Sequence, residues 1–271
     1  MITADVTKGA GSFNSEFRTS MANSTTNAEL TLVLKLHMDK VTQASQSTIQ
    51  DVDGTVFQVR DWSADGWSRF MRNFRSMGQA YWSGKFWLVS PAGTTDLQVR
   101  HTGRLYQCNV WCRVRIEVQE SAAGAHQSIR CVRIRSNGGP MNSGTFRSHS
   151  LLYDQNDLGL GSYSRGGRVY TQRTFIHEIG HALGLPHIAE MTGNAACPAA
   201  NTNADACYGT EREEREDIMG FGHRLSLNDA RPWRNRIHEH VRDTTFIGPP
   251  LGFTTAMRRA YPEAVAMAGA R

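Results

Sequence analysis

Residues 177–187 read His177-Glu178-Ile179-Gly180-His181-Ala182-Leu183-Gly184-Leu185-Pro186-His187. On an α-helix, positions four apart lie about 40° apart around the axis and roughly 6 Å along it. His177 and His181 therefore present their rings to one point on one face, as two metal ligands must. Ile176, Ile179 and Leu183 recur at steps of three and four on the other side and can anchor the helix in a core. Glu178 follows the first histidine directly, close to a metal without being needed to bind it, where its carboxylate can take a proton from water. Gly184 lacks a Cβ and can end the helix in a left-handed turn, and Pro186 prevents the helix from resuming. The chain is redirected, and His187 arrives three residues after the glycine. Three neutral imidazoles with an open fourth position are the ligand set of a catalytic zinc. Each histidine taken alone reads as an ordinary core or surface residue. The whole pattern at this spacing arises by chance in roughly one chain in ten thousand.

This stretch resembles the His-Glu-x-x-His-x-x-Gly-x-x-His zinc motif of the metzincin clan of metallopeptidases at every defining position. That family also carries a tight turn with a methionine beneath the zinc. Asp217-Ile218-Met219-Gly220, whose methionine stands 32 residues after His187, resembles that Met-turn. The resemblance implies an α+β, two-lobed fold. A twisted mixed sheet and two long helices would form the upper lobe, and the Met-turn and a final helix an irregular lower lobe. It implies one catalytic Zn²⁺ on His177, His181 and His187, Glu178 as general base, and Gly184 and Met219 as structural supports. The implied activity is endopeptidase cleavage of a protein or peptide, in an exported enzyme or toxin-like effector. Substrate would lie extended along an edge strand built from part of residues 145–153, with residues 221–224 walling the next subsite. The matching motifs span only about 45 residues. Two departures stand out: Phe221 occupies a position where some metzincins carry a tyrosine able to reach the metal, and Ile188 after the third histidine matches no subfamily marker. Subfamily is open.

Length and composition fit this reading. The chain has 271 residues, 39% hydrophobic and 20% charged, which suits one large domain or two lobes with a full core. No run approaches the roughly 20 apolar residues that span a bilayer. The net charge of +5 comes from arginines dispersed along the chain rather than a basic block, so no nucleic-acid partner is expected. A basic protein acting on a cell wall or nucleic acid rests on that charge alone. A second rival is a binding module that keeps the fold and uses zinc for structure; Glu178 argues against it, because a structural site needs no base. Oligomeric state is not legible.

Residues 1–28 are rich in Ser, Thr, Asn and Gly and read as a loose leader or pro-segment remnant. Residues 1–25 show no charged-then-apolar pattern of a secretory signal. A catalytic domain over 29–245 follows, with an upper lobe to 186 and a lower lobe from 187, and then a tail over 246–271 without expected structure. Within the domain, Leu30, Leu32, Leu34, Leu36 and Met38 alternate as in a half-buried strand, and Trp67, Phe70, Met71, Phe74, Met77 and Tyr81 mark an amphipathic helix over about 63–82. Alternation over 104–119 and 129–135 reads as two strands of a hairpin, a helix begins near Thr171, and another runs over about 226–241.

Five cysteines suggest disulfides and an extracellular destination. Cys197 and Cys207 close a short polar loop. Cys108 and Cys112 lie roughly 13 Å apart along one strand and should not pair. If the hairpin forms, Cys112 faces Cys131 and that pair can bond, leaving Cys108 over.

Overall fold

The computed structural model describes residues 6–10, 13–18, 27–50, 55–90, 98–101, 104–135, 152–242, 254–257 and 265–266. The chain runs β1 (Val6–Ala10), β2 (Phe13–Arg18), β3 (Ala28–Lys40), β4 (Thr48–Gln50), β5 (Val56–Arg60), α1 (Ala64–Trp82) and β6 (Phe86–Val89). It continues with β7 (Gln98–His101), β8 (Arg104–Gln107), β9 (Val110–Gln119), β10 (Gln127–Ile134), β11 (Leu152–Asp154), β12 (Gly161–Arg165) and β13 (Arg168–Gln172). Then come α2 (Thr174–Ala182), α3 (Ile188–Thr192), α4 (Arg212–Glu216), α5 (Arg231–Arg242), β14 (Thr254–Met257) and β15 (Val265–Ala266). The fold is α+β, with parallel and antiparallel strand pairs and few helices. Two compact units divide it: residues 1–34, 79–115 and 225–271 form one, and residues 35–78 and 116–224 the other.

In the first unit β14 pairs antiparallel with β6, β6 with β9, and β2 with β3. Here composition misleads, because residues 13–18 of the expected loose leader form a strand. Phe13 and Phe17 alternate with Asn14 and Glu16, and both rings are buried. Burying such a side chain stabilises by roughly 2 kcal/mol, enough to hold a polar-looking segment in the sheet. Arg115 anchors the same strand with a two-pronged ion pair to Glu16. Helix α5 buries Trp233 and Ile237, and the Trp233 indole donates to the Arg113 carbonyl at 2.9 Å. The expected tail supplies β14 and β15.

The second unit contains the quoted stretch. Its β10 runs parallel to β3, with Gln127 opposite Leu36 and Cys131 opposite Lys40, and parallel to β11, with Cys131 opposite Tyr153. This corrects the expected hairpin: β3, not β10, is the neighbour of β9 in the strand order. The seven-residue connection over 120–126 is long enough to cross one strand, and His126 fixes the crossing by exchanging hydrogen bonds with the Lys35 backbone. The Cys112–Cys131 disulfide falls with the hairpin. Cys112 and Cys131 belong to different units, and with Cys108 they are buried thiols outside any disulfide. Burial pushes the Cys108 thiol up to about 12 and raises the other two well above the ordinary thiol range.

Helix α1 covers this unit through Phe70 and Phe74, and Phe74 packs on Tyr153 and Phe175 at 5.7 and 5.2 Å. Gly78 allows the closest approach to the quoted helix, since a Cβ there would stand 2.6 Å from the Ile179 Cδ1. The expected loop over 159–167 is instead a hairpin, β12 against β13, turning at Gly166 and Gly167. Its return strand runs to Gln172, so the helix expected near Thr171 begins at Thr174. Of residues 145–153, the candidate substrate strand, Leu152 and Tyr153 lie in β11 and 145–151 fall outside the described residues.

Candidate metal centre

Helix α2 carries His177 and His181 on one face and ends as its glycine requires. Gly184 has φ +83°, the Gly184 N–H donates to the His181 carbonyl at 2.8 Å, and the Leu185 N–H donates to the Gly180 carbonyl at 3.0 Å. This paired closure uses up the last helical carbonyls and turns the chain toward His187. The ligand-capable nitrogens of His177, His181 and His187 lie within 4.8 Å of one another.

The three rings are oriented by one device used three times. His177 Nδ1 bonds to the Ile218 carbonyl at 2.7 Å, His181 Nδ1 to the Leu185 carbonyl at 2.8 Å, and His187 Nδ1 to the Thr202 carbonyl at 2.7 Å. Against a carbonyl each Nδ1 must carry the proton, which leaves every Nε2 with a lone pair. His187 Nε2 is buried with no hydrogen-bond partner. A buried imidazole nitrogen without a partner costs free energy, and an ion at the three rings removes that cost. Burial, with the neighbouring rings adding to it for His177 and His187, lowers all three histidines, His187 to about 4, so the rings are neutral. The donor set fits a divalent metal such as zinc.

Glu178 is buried next to His177, and burial alone pushes its carboxyl up to about 8. A cation at the three histidines opposes that shift by favouring the carboxylate.

Residues 217–222 form a tight turn against this site. Met219 is fully buried, its N–H donates to Asp217 Oδ1, and its carbonyl accepts from the Ile188 N–H at 3.1 Å. Gly220 and Gly222 are demanded by close backbone approach, since a Cβ on Gly222 would lie 2.0 Å from the Glu216 carbonyl oxygen. Two residues here escaped the sequence reading. Gln172, at the end of β13, donates its side-chain amide to the Ile218, Gly220 and Gly222 carbonyls at 2.9, 3.0 and 3.0 Å. All three partners are acceptors, so the amide orientation is fixed. Tyr208 lies against His187 with ring centroids 3.9 Å apart and stacks on Phe221 at 4.7 Å. Burial, and next the Glu178 charge, push its phenol up to about 12. Neither residue has a spacing signal; Tyr208 is marked only by following Cys207, which is disulfide-bonded to Cys197. Beside the turn, a pocket of about 590 Å³ is lined by Tyr170, Thr171, Gly222 and Arg224 among others, and its lining includes neither the three histidines nor Glu178.

Residues 130–207 match the family model described as Peptidase M66. The matched segment holds all three histidines and Glu178 and stops short of Met219. No curated protein and no solved structure matches the chain. The likeness supports a metallopeptidase family and hence a protein or peptide substrate, and the clustered histidines fit a metal site within it. Among the described residues no helix is long and apolar enough to cross a membrane.

Proposed function

We propose that this chain is a zinc-dependent endopeptidase of the metzincin type, with Zn²⁺ held by His177, His181 and His187. The observation that carries the reading is the set of three carbonyl-anchored imidazoles converging beside a buried Glu178. Zinc in this site supplies a Lewis acid that polarises a peptide carbonyl and acidifies water. Glu178 takes the proton of the attacking water and hands it to the departing amine, a role suited to a buried carboxyl directly after the first histidine of the site. Met219 floors the site as the Met-turn residue, tied to the start of α3 through the Ile188 N–H. The Cys197–Cys207 bridge supports an extracellular place of action, whether as a secreted enzyme or a delivered effector.

The test combines metal analysis with proteolysis. Freshly purified protein should hold about one zinc per chain and cleave casein. Glu178→Ala should retain the zinc and lose nearly all cleavage, whereas His181→Ala should lose both. Metal-free protein that gains no activity on zinc addition, or a Glu178→Ala variant turning over at the parent rate, refutes the proposal. A binding module with structural zinc would show metal without cleavage.

A further inference from the structure

We infer that the Tyr208 hydroxyl is the hydrogen-bond donor to the oxygen that gains charge when a peptide carbonyl is attacked at the three-histidine site. The inference rests on the peptidase reading above and adds a residue to it.

Ring placement comes first. Tyr208 lies between two planar groups, with Phe221 parallel to it at 4.7 Å and 9°, and His187 on it at 3.9 Å. It is also nearly parallel to His177, at 5.9 Å and 16°. A ring held on both faces cannot swing, so its hydroxyl keeps one direction. The preceding residue, Cys207, is pinned by its disulfide, which removes backbone freedom as well. Its contacts with His187 and His177 place the phenol beside two of the three histidines, where the carbonyl would be attacked.

Other polar groups nearby are already engaged. The Tyr163 hydroxyl is shared with Thr174 Oγ1 at 3.0 Å. The Arg165 guanidinium is held by Asp205 at 2.8 Å and the Ser164 carbonyl at 2.9 Å. The Gln172 amide is spent on the turn, and the Nδ1 atoms of the three histidines are spent on carbonyls. The Tyr208 hydroxyl has no hydrogen-bond partner among the described residues. A preorganised O–H beside a desolvated reaction centre favours the charged oxygen of the transition state over the neutral carbonyl of the ground state. It donates throughout and transfers no proton, so the balance of hydrolysis is unchanged.

Tyr208→Phe keeps the ring, its stacking and its contact with His187 while deleting the O–H. The variant should bind the same zinc as the parent and keep KM within about threefold, while kcat falls by about 100- to 1,000-fold. A second readout avoids turnover. From a casein-derived sequence that the parent cleaves, a phosphinic peptide (tetrahedral, anionic) and a hydroxamate (planar) are made, and their binding is measured by calorimetry. The phosphinic peptide should lose at least about tenfold in affinity for Tyr208→Phe, and the hydroxamate should lose little. A kcat within threefold of the parent overturns the inference, as do equal losses for both inhibitors or loss of zinc, which would make the hydroxyl structural. If the parent leaves casein intact, the peptidase reading and this inference fall together. If the parent cleaves, Glu178→Gln does not, and Tyr208→Phe matches the parent, the inference alone falls.

Discussion

Replacing Gln172 by leucine should loosen the turn beneath the histidines by an amount the structure sets. Three carbonyls lose their side-chain donor, but Ile218 keeps the bond from His177, so Gly220 and Gly222 bear the loss. Leucine fills nearly the same volume, so cavity cost is small and the cost of unsatisfied carbonyls dominates. At roughly 1 to 1.5 kcal/mol for each, the variant should lose about 2 to 3 kcal/mol. For a chain of 271 residues that lowers the melting temperature of the zinc-loaded protein by about 4–5 °C. Because the Ile218 carbonyl also orients His177, zinc affinity should weaken by about 10-fold or more. Differential scanning fluorimetry and chelator competition read the two effects separately. Gln172→Glu sharpens the test, since it keeps the shape and turns a carboxylate oxygen on three carbonyl oxygens. It should be worse than leucine. If both variants melt within 1 °C of the parent and hold zinc equally well, the side chain only fills space and the reasoning fails.

The double replacement Cys197→Ser with Cys207→Ser reopens a loop of ten-residue separation and should cost about 3 kcal/mol. It should also weaken zinc binding by about 10- to 100-fold through Thr202, measured by chelator competition. Asp154, buried in β11, has its carboxyl raised to about 6 by burial against an ordinary value of 3.8. Between those values the folded chain binds more protons than the unfolded one, so this group's contribution to stability falls as pH rises from about 4 to 6 and is flat above. Urea unfolding across that range should show Asp154→Asn removing up to about 3 kcal/mol of the decline. Gly222→Ala, which drives a Cβ into the Glu216 carbonyl, should destabilise by at least about 2 kcal/mol in the same assay.

The candidate site was legible where chemistry and periodicity coincide. His177, His181 and Gly184 are placed by helix geometry alone, and the alternation of β3 and the stripe of α1 mark elements that end within two residues of expectation. What could not be read are facts of pairing across distance. Alternating strands 110–119 and 127–134 look the same whether they pair with each other or take β3 between them, so the Cys112–Cys131 bridge was inferred from a neighbour that does not exist. Residues 13–18 carry only two aromatic anchors in a polar stretch, and their burial depends on a sheet built from later sequence. Gln172 and Tyr208 act through carbonyls and rings tens of residues away, which leaves no local pattern.

The small loop closed by Cys197 and Cys207 ties two equilibria together. Thr202, inside the loop, orients His187, so oxidising the cysteines and filling the histidine site favour the same conformation. Thermodynamic reciprocity then works in both directions: whatever factor the bridge adds to zinc affinity, zinc adds to the resistance of the bridge to reduction. Each tenfold of coupling moves the dithiol potential by about 30 mV. A metal-loaded chain would therefore keep its bridge in surroundings that reduce the empty one, and a chain stripped of metal would become easier to open and to degrade.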